Sequence, residues 1–294
     1  MARVLITGAS GVAGRLVADL LAADGYEVRR ADVAPTPPDP HAASTTGEFI
    51  RCDTRTYADV RAAVEDCDAV VHLAAWHIGH QPPISDATIF AVNVDGTFNV
   101  VQACRDAKID ALVYASSMAF GWGAVYGTTK VIGEDLTRMF HEITGASVVN
   151  LRYHDFVPKP YLAWGEKLLR NGVDRRDVAA ATVAAVKAAL QHTVTRFMTI
   201  VHSDHHLPPA VKSDFAARGL AWCESVAPGS AALIERYRLD LPSEVEQHDL
   251  SVAEQLLAWT PQHDITEFLL DLTARDAAGE DVTTLWAPGQ LPER

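Results

Sequence analysis

Four residues in the segment YASSMAFGWGAVYGTTK, Tyr114 to Lys130, have the types and spacing of a proton-transfer site. Ser116 and Ser117 close an apolar run, and Tyr126 and Lys130 follow as i and i+4 of a helix, which places both side chains on one helix face. A tyrosine titrates near a pKa of about 10 and is a poor base at neutral pH, but a neighbouring ammonium favours its phenolate. Tyr126 and Lys130 together therefore read as a general acid/base unit, with a serine hydroxyl to hold the oxygen that gains or loses the proton. Alternation along a strand lets only one serine face such a site. Strand register selects Ser117, whereas counting back from Gly121 selects Ser116.

Such a unit needs a redox partner and a scaffold. TGASGVAG sets Gly8, Gly11 and Gly14 between an apolar strand, RVLITG, and a helix opening at Val12. A tight turn, close approach to a pyrophosphate and close helix–strand packing each exclude a Cβ there, and the helix start offers free N–H groups to phosphate. Asp32 closes the next strand, 18 residues beyond Gly14. Its carboxylate suits an adenosine ribose and repels a 2′-phosphate, which favours NAD over NADP. Arg29 and Arg30 are the residues that could reverse that preference.

Further strands read at YEVRRAD, EFIRCD, AVVHLAA, ALVYASS and SVVNLRY, with amphipathic helical stretches between them. Strands alternating with helices make right-handed βαβ units and a parallel sheet covered on both faces. The expected fold is α/β, a Rossmann-type doubly wound parallel sheet over residues 1–155, with a smaller C-terminal substrate lobe over 156–294 interleaved with the end of the sheet. In the second half, DRRDVAAATVAAVKAALQ reads as a helix, RFMTIV as a strand, and DLSVAEQLLAWTPQHDITEFLLDL as two helices around a turn at Pro261. The proline-rich stretch from Ala34 to Thr45 reads as a loop.

At 294 residues the chain can bury a sizeable core. A formal charge of −13 disfavours nucleic acid and anionic membrane surfaces as partners. Cys52, Cys67, Cys104 and Cys223 form no CxxC pair, which suits reduced thiols and a cytoplasmic protein. No apolar run reaches the roughly 20 residues of a membrane span.

Taken in order, TGxxGxxG at Thr7–Gly14, Cys52-Asp53, His72 to Ala75, NVDGT at Asn93–Thr97, the serine strand, YxxxK and LRYHDFVP at Leu151–Pro158 resemble the extended short-chain dehydrogenases/reductases of the NAD-dependent epimerase/dehydratase family. The resemblance implies that Asp53 and Thr54 flank the adenine and that Leu73, Ala74 and Ala75 line the dinucleotide. It implies that Asn93 steadies the active-site helix, that Ser116 lies in the cofactor site, and that Tyr153 and His154 sit beside the nicotinamide. Lys130 would hold the nicotinamide ribose.

By the same likeness the reaction is oxidation of a secondary alcohol on a sugar or nucleotide-sugar, as an epimerisation or, in a uronate-type dehydrogenase, with net NADH formation. A non-catalytic dinucleotide-sensing or scaffold protein of the same fold is the alternative. Family dehydratases carry an acidic pair after the serine; Met118 and Ala119 stand there instead, which disfavours dehydration. Two chains are expected to pair as a homodimer through the Tyr126 helix and the alanine-rich helix after Asp177.

Family members usually separate the serine and tyrosine by a longer loop. The short spacing leaves two readings: a truly short, continuous connection with the pocket open on that side, or a mobile lid, which would show as a break between Ser117 and Tyr126 with Cα atoms further apart than the roughly 3.8 Å of a trans peptide. His77 and His80 stand after the fourth strand, where His77 could touch a polar substrate. HSDHH, His202–His206, has metal-like spacing, but with no accompanying ligand set no metal is expected.

Overall fold

The computed structural model describes residues 1–35, 46–79 and 82–288; His80 and most of the proline-rich stretch lie outside these. Seven strands form one sheet: β1 (Arg3–Thr7), β2 (Glu27–Asp32), β3 (Glu48–Arg51), β4 (Ala69–His72), β5 (Ala111–Ser117), β6 (Ser147–Tyr153) and β7 (Arg196–Val201). Their order is β3-β2-β1-β4-β5-β6-β7. Pairing is parallel from β3 through to β6. All seven coincide with the strands read from sequence; in the central β1, β4 and β5 burial on both faces writes near-continuous apolar runs, while β2, β3 and β7 carry polar and exposed residues. Val4, Leu5 and Ile6 of β1 and Val70 and Val71 of β4 have no solvent exposure.

The chain leaves β1 toward β2 and β3, then returns to the other side of β1 as β4. Strand order therefore reverses between β1 and β4, the place where doubly wound sheets open a crevice at their carboxyl ends. The connecting helices are α1 (Val12–Ala23), α2 (Tyr57–Ala63), α3 (Asp86–Phe90), α4 (Gly96–Ala107) and α5 (Val125–Thr144), with a π-helical turn, Ala91–Asp95, joining α3 to α4. Val60, Val100, Cys104 and Phe140 from α2, α4 and α5 pack with Leu5, Val70, Leu112 and Val148 into one buried cluster. Alternate residues of four strands thus share one face.

Two compact units make up the chain. The first contains Met1–Tyr153, Val178–Ile200 and Leu250–Thr260; the second contains His154–Asp177, Val201–Asp249 and the residues from Pro261 on. Continuing in chain order, α6 (Tyr161–Leu168), α7 (Arg175–Leu190), α8 (Pro209–Lys212), α9 (Phe215–Val226), α10 (Ser230–Tyr237), α11 (Ser251–Leu257) and α12 (Ile265–Ala277) complete the helices used here. The second unit has its own core, in which Trp164, Phe215, Trp222, Leu233 and Phe268 pack together. Along α7, Ala181, Ala185 and Ala188 are buried within the chain, so most of the stripe expected to pair two chains is already covered. All four cysteines are buried free thiols. No described helix is long and apolar enough to cross a membrane.

Candidate active site

Each glycine after β1 has a distinct reason. Gly8 has φ +69°, and a Cβ on it would lie 2.7 Å from Ala74 N, so the ends of β1 and β4 can meet only over a bare Cα. A Cβ on Gly14 would overlap the carbonyl of Gly8, which is the close packing of α1 on β1. Gly11 differs. The one atom near its would-be Cβ is Gly8 O at 3.2 Å, so the protein around it does not demand glycine as it does at Gly8 and Gly14. It is also the N-cap of α1 and supplies no side-chain cap. The first N–H groups of the helix, from Val12, are left for an anion.

The Asp32 carboxylate is pinned beside this loop: Ser10 N–H donates to Oδ2 at 2.9 Å and Val33 N–H donates to Oδ1 at 2.7 Å. Arg29 donates to Glu48, at 2.9 Å, and to the carbonyls of Ala63 and Glu65. Arg30 is buried against the Phe49 ring and donates to Gly47 O. Both guanidiniums that could have favoured a 2′-phosphate are thus engaged within the fold. A bare Gly11, an uncapped helix start and a fixed carboxylate fit NAD.

Leu73 and Ala74 extend from β4 to the end of β1, Leu73 N–H donating to Thr7 O at 3.1 Å, and Ala75 follows. Asp53 forms a fork with Arg55, which holds its carboxyl below the ordinary range. Thr54 is buried, and a Cβ on Gly96 would come within 2.6 Å of its Oγ1.

Beneath β4, His72 joins a buried chain of hydroxyls. Thr97 Oγ1 donates to Asn93 O at 2.5 Å, so it accepts from His72 Nε2–H at 3.0 Å, leaving Nδ1 to accept from Thr7 Oγ1 at 2.7 Å. Burial, helped by the charge of Lys130, pushes the imidazole down to about 3, so it stays neutral.

Asn93 sits in the π-helical turn, a geometry common at functional sites. Its Nδ2 donates to Trp76 O at 2.9 Å and to Thr129 Oγ1 at 3.0 Å, while Oδ1 accepts from Trp76 N–H. Thr129 in turn donates to Tyr126 O at 2.7 Å. One buried amide thereby fixes the segment after β4 to the first turn of α5.

At the end of β5 the serine pair separates. Ser116 is buried and donates to Glu134 Oε1 at 2.5 Å; Glu134 also accepts two bonds from Arg152, both at 2.7 Å. Ser117, facing the opposite way by alternation, is half-buried and accepts from Ala119 N–H at 3.1 Å. The Ser116 hydroxyl is therefore engaged inside the fold, whereas Ser117 lies on the other face of the strand and is half-buried.

Lys130 is buried, donates from Nζ to Ala115 O at 2.7 Å, and lies 5.3 Å from the Tyr114 ring centroid and 5.8 Å from that of Tyr126. Loss of water lowers its pKa to about 7, with Glu134 acting in the opposite sense. His77 meets Tyr126 edge-on at 6.2 Å between ring centres, and its Nδ1 accepts from Gly79 N–H at 2.9 Å.

Ser117 and Tyr126 are joined by the short connection from Met118 to Val125. Gly121 and Gly123 take φ +81° and +70°, and Trp122 N–H donates to Ala119 O. A Cβ on Gly127 would overlap Ala119 O, so this tight connection rests on the bare first turn of α5. Phe120 and Trp122 are exposed on it, and Arg152 stacks on Phe120 at 4.3 Å.

Tyr153 pairs in register with Ser117. Its ring is buried and its hydroxyl meets Thr182 Oγ1 at 2.7 Å, so the hydroxyl points toward α7. His154 belongs to the second unit and contacts His248. A cavity of about 860 Å³ in that unit, lined by Trp164, Arg176, Trp222, Glu267 and Arg275 among others, contains none of the residues above.

Sequence reasoning missed Glu134, Arg152 and Thr129. Glu134 could have been found as the next i+4 position after Tyr126 and Lys130; Arg152 carried no signal, because its partner lies 18 residues away on another element.

The chain is 28% identical over 174 residues to a uronate dehydrogenase of Pseudomonas putida, covering 54% of this chain and 62% of that enzyme. It is 32% identical over 180 residues to an L-arabinose 1-dehydrogenase (NAD(P)(+)) of Haloferax volcanii, covering 52% of this chain and 66% of that one. The chain thus spans somewhat under two thirds of each of these relatives. Among solved structures, a UDP-glucose 4-epimerase from Brucella ovis in complex with NAD superposes with a TM-score of 0.66 at 18% identity, covering 92% of this chain and 96% of that one. The profile of one family matches residues 4–159, the span that carries the glycine turn, the serine strand and the Tyr126–Lys130 helix. By that match this chain belongs to the NAD dependent epimerase/dehydratase family.

Proposed function

We propose that the protein is an NAD-dependent oxidoreductase that oxidises a secondary alcohol of a sugar or sugar derivative, with Ser117, Tyr126 and Lys130 as its catalytic residues. The observation that carries this reading is the placement of Lys130: buried, anchored to Ala115 O, and one helical turn from Tyr126. Tyr126 takes the proton of the substrate hydroxyl while Ser117 Oγ hydrogen-bonds the same oxygen. Lys130, when protonated, lowers the cost of the phenolate. NAD, when bound, supplies the two-electron oxidation of the carbinol carbon. His77, edge-on to Tyr126, is placed to meet a polar substrate group.

Net oxidation is favoured over epimerisation. An epimerase must retain its oxidised intermediate until the proton and electrons return, a task suited to a closing cover; the Ser117–Tyr126 connection is short and exposes Phe120 and Trp122. The relatives named as uronate and arabinose dehydrogenases agree with that preference.

The test is incubation with NAD and a panel of uronic acids, aldoses and nucleotide-sugars, following both NADH absorbance and product stereochemistry. NADH formation is expected, with Tyr126→Phe lowering kcat by about 10²–10⁴-fold. An inverted product without NADH would replace this reading by epimerisation. NAD binding with no turnover, and no effect of Tyr126→Phe, would leave a dinucleotide-sensing or scaffold protein.

A further inference from the structure

Outside the catalytic residues, the second unit gathers an unusual set of nitrogen donors. Nε2 of His154 lies 3.0 Å from Nε2 of His248, which lies 3.1 Å from Oε1 of Glu246; the third side, from His154 Nε2 to Glu246 Oε1, is 3.8 Å. Ligands about 2.0–2.1 Å from a tetrahedral ion stand about 3.3 Å from one another. The three measured sides straddle that edge.

Tautomers support the same conclusion. A backbone carbonyl can only accept, so His154 Nδ1, 3.3 Å from Asn171 O, carries the proton. Nε2 of a neutral His154 then presents a lone pair to His248 and Glu246. An imidazole held through its other N–H by a carbonyl is the usual outer support of a metal-binding histidine. His202 repeats the pattern: its Nε2 donates to Arg170 O at 3.1 Å, leaving Nδ1 buried with no hydrogen-bond partner. Its ring stands 4.2 Å from that of His154 and 5.1 Å from that of His248. Two successive carbonyls after α6 therefore fix the tautomers of two adjacent imidazoles.

We propose that His154, Glu246 and His248 bind a divalent first-row transition ion of the zinc class. Two imidazoles and one carboxylate suit zinc and its neighbours better than calcium or magnesium, which take oxygen donors. The ion completes its shell with water, and that water satisfies the bare Nδ1 of His202. Glu246 and His248 come from the irregular chain between α10 and α11, and His154 directly follows β6. Within the second unit the ion clips the irregular segment to the chain at His154. Within HSDHH, only His202 joins this cluster: His205 bonds Leu168 O and Ile265 N–H, and His206 pairs with Asp204 on the surface.

The site is tested with untagged full-length protein, stripped with chelator and titrated with Zn²⁺ by calorimetry, with metal analysis after dialysis. One equivalent per chain is expected, and Glu246→Gln and His248→Ala should each weaken binding by about tenfold or more. Both positions are partly exposed, so these variants should fold, as circular dichroism will verify; if one does not, the other decides. Co²⁺ should give visible d–d absorption that the variants lose. Failure of the wild-type chain to take up Zn²⁺, or equal uptake by a folded variant, overturns the proposal. Neither readout depends on turnover, so the result is separable from the oxidoreductase reading.

Discussion

Glu134 accepts a hydrogen bond from Ser116 at 2.5 Å on the same helix face that carries Lys130 one turn earlier. A single carboxylate thus anchors the end of the serine strand, the Arg152 guanidinium and, through that guanidinium, the Phe120 ring of the connection to Tyr126. Glu134→Ala leaves Arg152 unpaired in a setting only 20% exposed. Destabilisation by about 2–3 kcal/mol is expected in urea unfolding. The double variant Glu134→Gln with Arg152→Met should recover most of the loss, because removing both charges leaves neither one stranded.

The two serines should separate kinetically. Ser117→Ala removes the hydroxyl proposed to meet the substrate oxygen and should lower kcat by about 10²–10³-fold. Ser116→Ala loses a bond to Glu134 and should cost about 1–2 kcal/mol of stability while changing kcat less than about tenfold. Equal kinetic effects from the two variants would contradict the division of roles drawn from strand alternation.

Lys130 makes stability depend on pH in a defined direction. Its ammonium titrates at about 7 in the folded chain against an ordinary 10.5. Between those values the unfolded chain holds a proton that the folded one has lost, so raising the pH favours folding over that window. Below about pH 7 both states are charged and the desolvation penalty is fully present. Lys130→Met removes the group, so the difference in unfolding free energy between variant and wild type should shrink steadily from pH 7 to 10. A difference that does not change with pH would mean that the lysine keeps its ordinary affinity for protons.

A homodimer is also proposed, with its surface moved from α7, whose Ala181, Ala185 and Ala188 are buried, to α4 and α5. Phe98 is 45% exposed and Val131 39% exposed on those helices, more apolar surface than an isolated face usually leaves to water. Light scattering at micromolar concentration should give twice the chain mass, and Phe98→Glu should return it to a monomer.

Much of this architecture was legible in the residue order because the sheet is buried on both sides. Val4–Ile6, Val70–Val71 and Leu112–Val113 are unbroken apolar runs, and no surface constraint blurs them. The glycine turn was equally plain in its spacing, although only Gly14 owes its glycine to local backbone; Gly8 owes it to the close approach of Ala74 from the segment after β4. The second unit was less legible, its helix α12 after Pro261 apart. Its helices α8 and α10 are 4 and 8 residues long, too short for a clear helical period. Its histidine cluster joins positions 94 residues apart. Within HSDHH, adjacency along the chain also says little about surroundings, since His205 and His206 have different partners from His202.

The connection from Ser117 to Tyr126 can also be viewed as a place where length is inexpensive. Gly121 and Gly123 have open space where a side chain would stand, and each doubling of a connecting segment adds only roughly 0.6 kcal/mol of closure entropy. Ser117 is held by β5 and Tyr126 by α5, with Asn93 and Thr129 tying that helix down. Insertions here would therefore leave the proposed Ser117, Tyr126 and Lys130 geometry in place, making this short turn a natural graft point for redesign.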